Sequence, residues 1–292
     1  MNTNSNSVAV ITGATSGIGQ IAAIDLAKLG MKLVLTARSR ERAEETSRRI
    51  NEAAPNSEVV FFYGDLSVMA DVKRIGEEIQ SAYSQIDVLV NNAGLHAFKQ
   101  RITSEGFSEM MAVNYLAPWL LTLILLPSLK ASSKARIINV ASEASRNHGV
   151  LALPEDLTDT ADFTARGSSA IYGKTKLLNI MFAGELSHQL SGTGVAVHSL
   201  NPGFNVTGLG RELWFAPMLE RVLKWLRIGD PRKGAEIITR LAVDPQYEGV
   251  TGGYYNVGTG KSIHPVHPGG DHAMQNKLWK ETQRLLQQRE WI

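Results

Sequence analysis

Between residues 8 and 142 the chain repeats one unit, a short run of β-forming apolar residues followed by a longer stretch with helical spacing. The runs are Val8–Thr12, Lys32–Thr36, Glu58–Tyr63, Ile86–Ala93 and Ala135–Ser142. They lack polar alternation, so both faces of each strand are buried. Strands of this kind, each followed by a helix, build a parallel sheet covered on both sides. The spacing predicts helices over Ile18–Leu29, from Ser39 into the charged stretch that follows, over Val68–Tyr83 and around Asn114. An irregular stretch, 143–168, leads into a long helix over Ser169–Leu190. A sixth strand in "GVAVHSL", a short run "GGYYNVG" and an amphipathic helix over Met274–Arg289 follow. The expected fold is α/β, a doubly wound, Rossmann-like parallel sheet of about seven strands, in one domain spanning 1–292.

Composition bounds the function. The 292 residues include 43% hydrophobic side chains, enough for a sizeable core, and the net charge is about +2 without a basic block. That pattern excludes a nucleic-acid surface as the main activity. No cysteine is present, which removes disulfides, thiolate zinc sites and cysteine nucleophiles and fits a reducing, cytoplasmic location. The most apolar stretch, Leu116–Leu126, is shorter than a bilayer span and reads as a buried helix, so no stable membrane span is expected. His264, His267 and His272 lie among prolines and glycines with no ligand spacing, and no metal is expected.

"ITGATSGIGQ", Ile11–Gln20, lies between the first strand and first helix. There Gly13 permits a tight turn, Gly17 lets backbone approach a pyrophosphate, and Gly19 allows close packing. The N–H groups that open the helix, at Ile18 and its neighbours, would face the anion, with hydroxyls from Thr12, Thr15 and Ser16. An acidic residue at the end of the second strand would select NAD. The sequence has Ala37 there, followed by Arg38, so a guanidinium faces the 2′-phosphate and NADP(H) is favoured. At the next strand ends, Asp65 and Leu66 could meet the adenine, or Asp65 could cap a helix. Asn92, Ala93 and Gly94 would lie against the cofactor, whereas Asn91 could touch it or pin neighbouring strands.

Tyr172 and Lys176 stand four residues apart on the long helix and share a face. An ammonium there would lower the phenol's pKa toward neutrality and reach ribose hydroxyls. Alone the pair is an ordinary amphipathic motif. In chain order, however, TGxxxGIG, NNAG, Asn114, Ser142, Tyr-x-x-x-Lys and "NPGFNVT" resemble the short-chain dehydrogenase/reductase family, single-domain branch. The stretch "LPEDLTD", Arg38 in "TARSR" and the ending "HAMQNKLWKETQRLL" resemble its retinol dehydrogenase-like subgroup.

That resemblance implies a set of roles. Tyr172 would be the general acid/base, with Lys176 as its partner. Ser142 would orient the substrate oxygen, with Ser145 the fallback. Asn114 would kink its helix and hold a relay water, while Pro202, Gly203 and Thr207 would line the nicotinamide end. It also implies an oxidoreductase acting on an apolar carbonyl or alcohol, retinal-, steroid- or aldehyde-like. Within the domain, 204–230 would cover the substrate, although its aromatic stripe could equally be a core helix or a membrane-touching face. Leu116–Leu126 and Ser169–Leu190 could pair in a homodimer or homotetramer, or could be ordinary core. The competing functions are a non-catalytic dinucleotide sensor and a same-fold C=C reductase or epimerase.

Overall fold

The computed structural model describes residues 7–203 and 230–292. Thr207, and the substrate-covering segment expected at 204–230 apart from Asp230, lie outside them. Seven strands form one all-parallel sheet in the order β3-β2-β1-β4-β5-β6-β7. These are β1 (Val8–Ile11), β2 (Lys32–Ala37), β3 (Val59–Tyr63), β4 (Val88–Asn91), β5 (Arg136–Val140), β6 (Ala196–Asn201) and β7 (Gly253–Asn256). The order reverses between β1 and β4, and in such sheets the crevice at the strands' carboxyl ends takes the ligand.

Alternate residues along each strand feed two cores. Val10, Val34, Leu89 and Ile137 face one side, against α3 (Met69–Ala82), α4 (Glu109–Lys130) and α5 (Ser168–Gln189). Ile11, Leu35, Val90 and Ile138 face the other, against α1 (Gly17–Lys28), α2 (Arg40–Ala53) and α6 (Pro231–Val243). Helix α4 is long and apolar enough to cross a bilayer, yet 78% of its most apolar window is buried in the fold.

The C-terminal helix α7 (His272–Gln288) lies on α5 and reaches α4. Its Trp279 ring is 5.0 Å from Trp119 and 6.0 Å from Phe182, and Thr282 Oγ1 is 2.7 Å from the Tyr115 hydroxyl. The irregular stretch after β5 is tied down as well. Leu153 and Leu157 are buried in the core, and Lys174 leaves the face of Tyr172 to pair with buried Asp156.

Several strand ends differ from expectation, β4 being two residues shorter at each end and β5 mattering most for the site. β5 stops at Val140, so Ser142 sits two residues beyond the sheet and caps a short 3₁₀ turn, Glu143–Arg146, accepting from the Ala144 N–H at 3.2 Å.

Candidate active site

The glycine-rich turn is shaped by its neighbours. Gly13 (φ +66) and Gly17 (φ +58) occupy the left-handed region that glycine adopts at least cost. Asn92 locks the turn: its Nδ2 donates to Thr12 O (3.0 Å) and Gly13 O (3.1 Å). Thr12 Oγ1 accepts in return from the Asn92 and Ala93 N–H groups. A Cβ on Gly19 would stand 2.3 Å from Asn92 Nδ2. Gly19 therefore makes room for the asparagine of the NNAG motif, in addition to opening helix α1. No side chain caps the start of α1, so its first N–H groups are available to an anion. Thr15, Ser16, Gly17, Ile18 and Gly19 line one end of a cleft of about 410 Å³.

Arg38, Asp65 and Leu66 line the same cleft. Arg38 Nη1 is 3.6 Å from Asp65 Oδ2, both groups largely solvated. Asp65 does not cap α3. Its Oδ1 accepts from the Ser67 N–H (2.9 Å), and the carboxylate of Glu105 takes the Met69 and Ala70 N–H groups that open the helix. Arg42 also lines the cleft, while Arg40 lies over the Tyr63 ring. Asn91 serves the sheet: its Nδ2 donates to Thr122 Oγ1 and Asn139 Oδ1, both at 2.9 Å.

At the other end, Ala93, Gly94, Ser142, Tyr172, Lys176, Pro202 and Gly203 converge. The Ser142 side chain faces the Tyr172 phenol and favours its ionised form. Buried Ser145 is turned to the Tyr254 phenol instead and is not among the residues that line the cleft. Gly173 permits the approach, since a Cβ there would lie 2.3 Å from Ala144 O and 2.5 Å from Asn147 O. Asn201 braces the same turn, accepting from the Glu143 and Gly203 N–H groups and donating to the Glu143 carboxylate.

Asn114 sits in a π-helical turn, Ala112–Leu116, inside α4. Pro118 follows four residues later and has no N–H for the Asn114 carbonyl. That oxygen accepts from Asn179 Nδ2 at 2.8 Å. The Asn114 side chain clamps the Leu95 backbone, accepting from its N–H (2.8 Å) and donating to its carbonyl (2.9 Å).

The electrostatics correct one expectation. Burial pushes the Tyr172 phenol up to about 12, only partly offset by Ser142. Burial also brings Lys176 down to about 8. The ammonium lies 5.7 Å from the Tyr172 ring centroid and donates to Val140 O at 2.9 Å. Shared helix face does put the two together, but desolvation of the phenolate is the larger effect on the phenol.

Sequence reasoning passed over four residues: Arg42, Gly173, Asn201 and His96. The His96 ring stacks on Tyr172, centroids 4.7 Å apart and planes 13° apart. Its position two residues after NNAG was the only signal.

Residues 7–153 match the family model described as short chain dehydrogenase. Dehydrogenase/reductase SDR family member 13 from Homo sapiens is 35% identical over 281 residues, covering 95% of this chain and 72% of the relative. The chain belongs to the short-chain dehydrogenase family. Retinol dehydrogenase 14 from Mus musculus is 34% identical to this dehydrogenase over 284 residues, covering 92% and 83% of the two chains. These likenesses place the dehydrogenase in the retinol dehydrogenase-like subgroup. Among solved structures, an uncharacterized protein from Mycobacterium paratuberculosis superposes with a TM-score of 0.74 over 96% of this chain and 93% of its own. At 23% identity it speaks for the fold.

Family membership makes the chain an oxidoreductase that uses a nicotinamide dinucleotide. The cleft fits that group. Helix N–H groups and two left-handed glycines at one end would meet the phosphates, and small Ala93 and Gly94 would let the backbone pack against the rest of the group. The space at Gly94 is bounded by Lys176 Nζ and Asn114 Oδ1, which a Cβ would approach to 3.1 and 3.3 Å.

Proposed function

We propose that the enzyme is an NADP(H)-dependent carbonyl reductase or alcohol dehydrogenase of apolar substrates, with Tyr172 as the proton donor and acceptor. The observation that carries this reading is the meeting of Ser142, Tyr172 and Lys176 in the same cleft that the glycine-rich turn lines. When bound, the cofactor supplies or accepts the hydride at its nicotinamide ring. Pro202, Gly203 and Gly94 would hold that ring; Thr15, Ser16 and Gly17 would hold the phosphates.

The side chains then have simple tasks. Ser142 donates to the substrate oxygen and steadies its developing charge. A phenol held near 12 is protonated at neutral pH, the state needed to give a proton to a carbonyl oxygen during reduction. In the reverse direction it must lose that proton, and buried Lys176, near 8, is the nearby group able to change charge close to neutrality. Asn114 fixes Leu95, next to Gly94, and so shapes the wall beside Lys176.

The 2′-phosphate reading rests on Ala37 and Arg38 at the end of β2, with Arg42 on the same wall. The substrate reading rests on the surroundings of Tyr172: Ala97, Met110, Leu95, Ala144, Phe163 and Ile171 pack around its ring and offer an apolar approach. The relative named retinol dehydrogenase 14 is consistent with a retinol-like substrate. The lack of cysteine fits a cytoplasmic setting.

The test is NADPH consumption across retinal, steroid ketones, medium-chain aldehydes and quinones. At least one apolar carbonyl should turn over. Tyr172→Phe should reduce kcat by at least about 100-fold while NADPH still binds, the range for loss of a general acid. Retention of full activity in that variant would refute the mechanism.

A further inference from the structure

His96 is not among the residues that the glycine, Ser-Tyr-Lys and NPG motifs bring to the cleft, yet it touches the reactive ring directly. It lines the cleft beside Gly94 and Leu95, and its imidazole lies nearly parallel to the Tyr172 phenol at 4.7 Å. The other flat ring beside it, Phe98, is 4.7 Å away. Parallel aromatic rings at this separation attract through dispersion and offset π contacts. Such a contact fixes the plane of the phenol, and with it the plane in which the hydroxyl hydrogen prefers to lie.

The imidazole is itself held. Its Nε2 is 3.1 Å from Ser168 Oγ. Ser168 Oγ is 2.7 Å from Ala165 O, so its single hydrogen is given to that carbonyl. Toward His96 the hydroxyl can only accept. Nε2 therefore carries a proton, and the ring orientation follows from this chain of donors. Ser168 is fully buried at the first turn of α5, one turn ahead of Tyr172, so brace and target ride on the same helix.

We propose that His96 is a positioning residue for proton transfer, holding the Tyr172 ring in its reactive plane by stacking. This rests on the reading of Tyr172 as the acid. The chain His96 Nε2–H to Ser168 Oγ–H to Ala165 O sets the brace, and it begins in the irregular segment that precedes α5. That segment thereby acts on the chemistry without touching substrate. The effect falls on kcat, because a misplaced donor still permits binding but seldom reaches a productive geometry.

The experiment compares His96→Ala, His96→Phe and His96→Gln with Tyr172→Phe, on the full chain with NADPH and one accepted carbonyl. His96→Ala should lower kcat by about tenfold or more, with NADPH affinity and melting temperature near those of the parent. His96→Phe keeps a flat ring and should recover most of kcat. His96→Gln keeps an N–H donor without the ring and should stay as low as alanine. If His96→Ala fails to fold, the phenylalanine and glutamine variants decide between ring and donor. The proposal is overturned by a kcat within about twofold of the parent in His96→Ala, by phenylalanine falling as far as alanine, or by a loss confined to NADPH affinity. A dead Tyr172→Phe beside an unaffected His96→Ala sinks this proposal alone, whereas an active Tyr172→Phe sinks the reading beneath it.

Discussion

In the proposed reading, charge at single positions selects between the two nicotinamide dinucleotides. Arg38 stands at the rim with Asp65 only 3.6 Å away, so a bound 2′-phosphate must compete with a carboxylate for the guanidinium. Both groups are solvated, and an exposed pair of this kind is worth little, so the competition is mild. A phosphate bound by Arg38 gains a charge-assisted contact worth about 1.5–3 kcal/mol. Arg38→Glu should therefore raise the KM for NADPH on the order of 10- to 100-fold and improve NADH relative to it. Steady-state kinetics with both cofactors checks this; an unchanged ratio would remove Arg38 from the site. The identity of this residue was legible, since the end of β2 could be counted from the glycines. The balance at Tyr172 was not. Spacing of i and i+4 announces that a cation is near a phenol, but says nothing of how deeply both are buried, and burial wins here.

Between elements, the decisive contacts are close backbone approaches that leave only faint marks in a sequence. The 3₁₀ turn after β5 touches α5 because Gly173 has no Cβ. Gly173→Ala tests this with opposing terms. Alanine in a helix interior gains up to about 1 kcal/mol over glycine. Against that, its Cβ would meet two backbone carbonyl oxygens at 2.3 and 2.5 Å, and backbone cannot swing aside as a side chain can. Overpacking of this sort costs about 1–3 kcal/mol, so the melting temperature should fall. Turnover should drop further than stability, because the displaced turn carries Ser142. A variant as stable and active as the parent would show that the turn relaxes freely. The strands and helices themselves were readable from apolar runs and spacing. The irregularity at Asn114 was implied by the family resemblance, whereas the bracing by Asn201 and the stack of His96 depend on long-range approach and were not legible.

Across the whole molecule, a buried imidazole sets acid tolerance. His198 on β6 is fully inaccessible, packed edgewise against the Tyr247 and Tyr255 rings, and neither nitrogen has a hydrogen-bond partner among the described residues. Burial, with a smaller push from the Arg136 guanidinium, brings its pKa down to about 4 from the usual 6.5. Above 6.5 the histidine is neutral in both states and costs nothing. As pH falls through 6.5 toward 4, the unfolded chain takes up the proton first, and stability is lost by on the order of 3 kcal/mol. Urea unfolding at pH 7 and pH 4.5 should show a loss in the parent that His198→Phe largely removes; equal losses in both would place the acid-sensitive group elsewhere.

The hydroxyl of Tyr115 meets Thr282 across a separation of 167 positions, and its neighbour in the chain is Asn114. A nascent polypeptide thus cannot complete the packing beside Asn114 until Thr282 has left the ribosome. Substitutions around Thr282 on α7 would be felt at that π turn as well as on the helix that carries them.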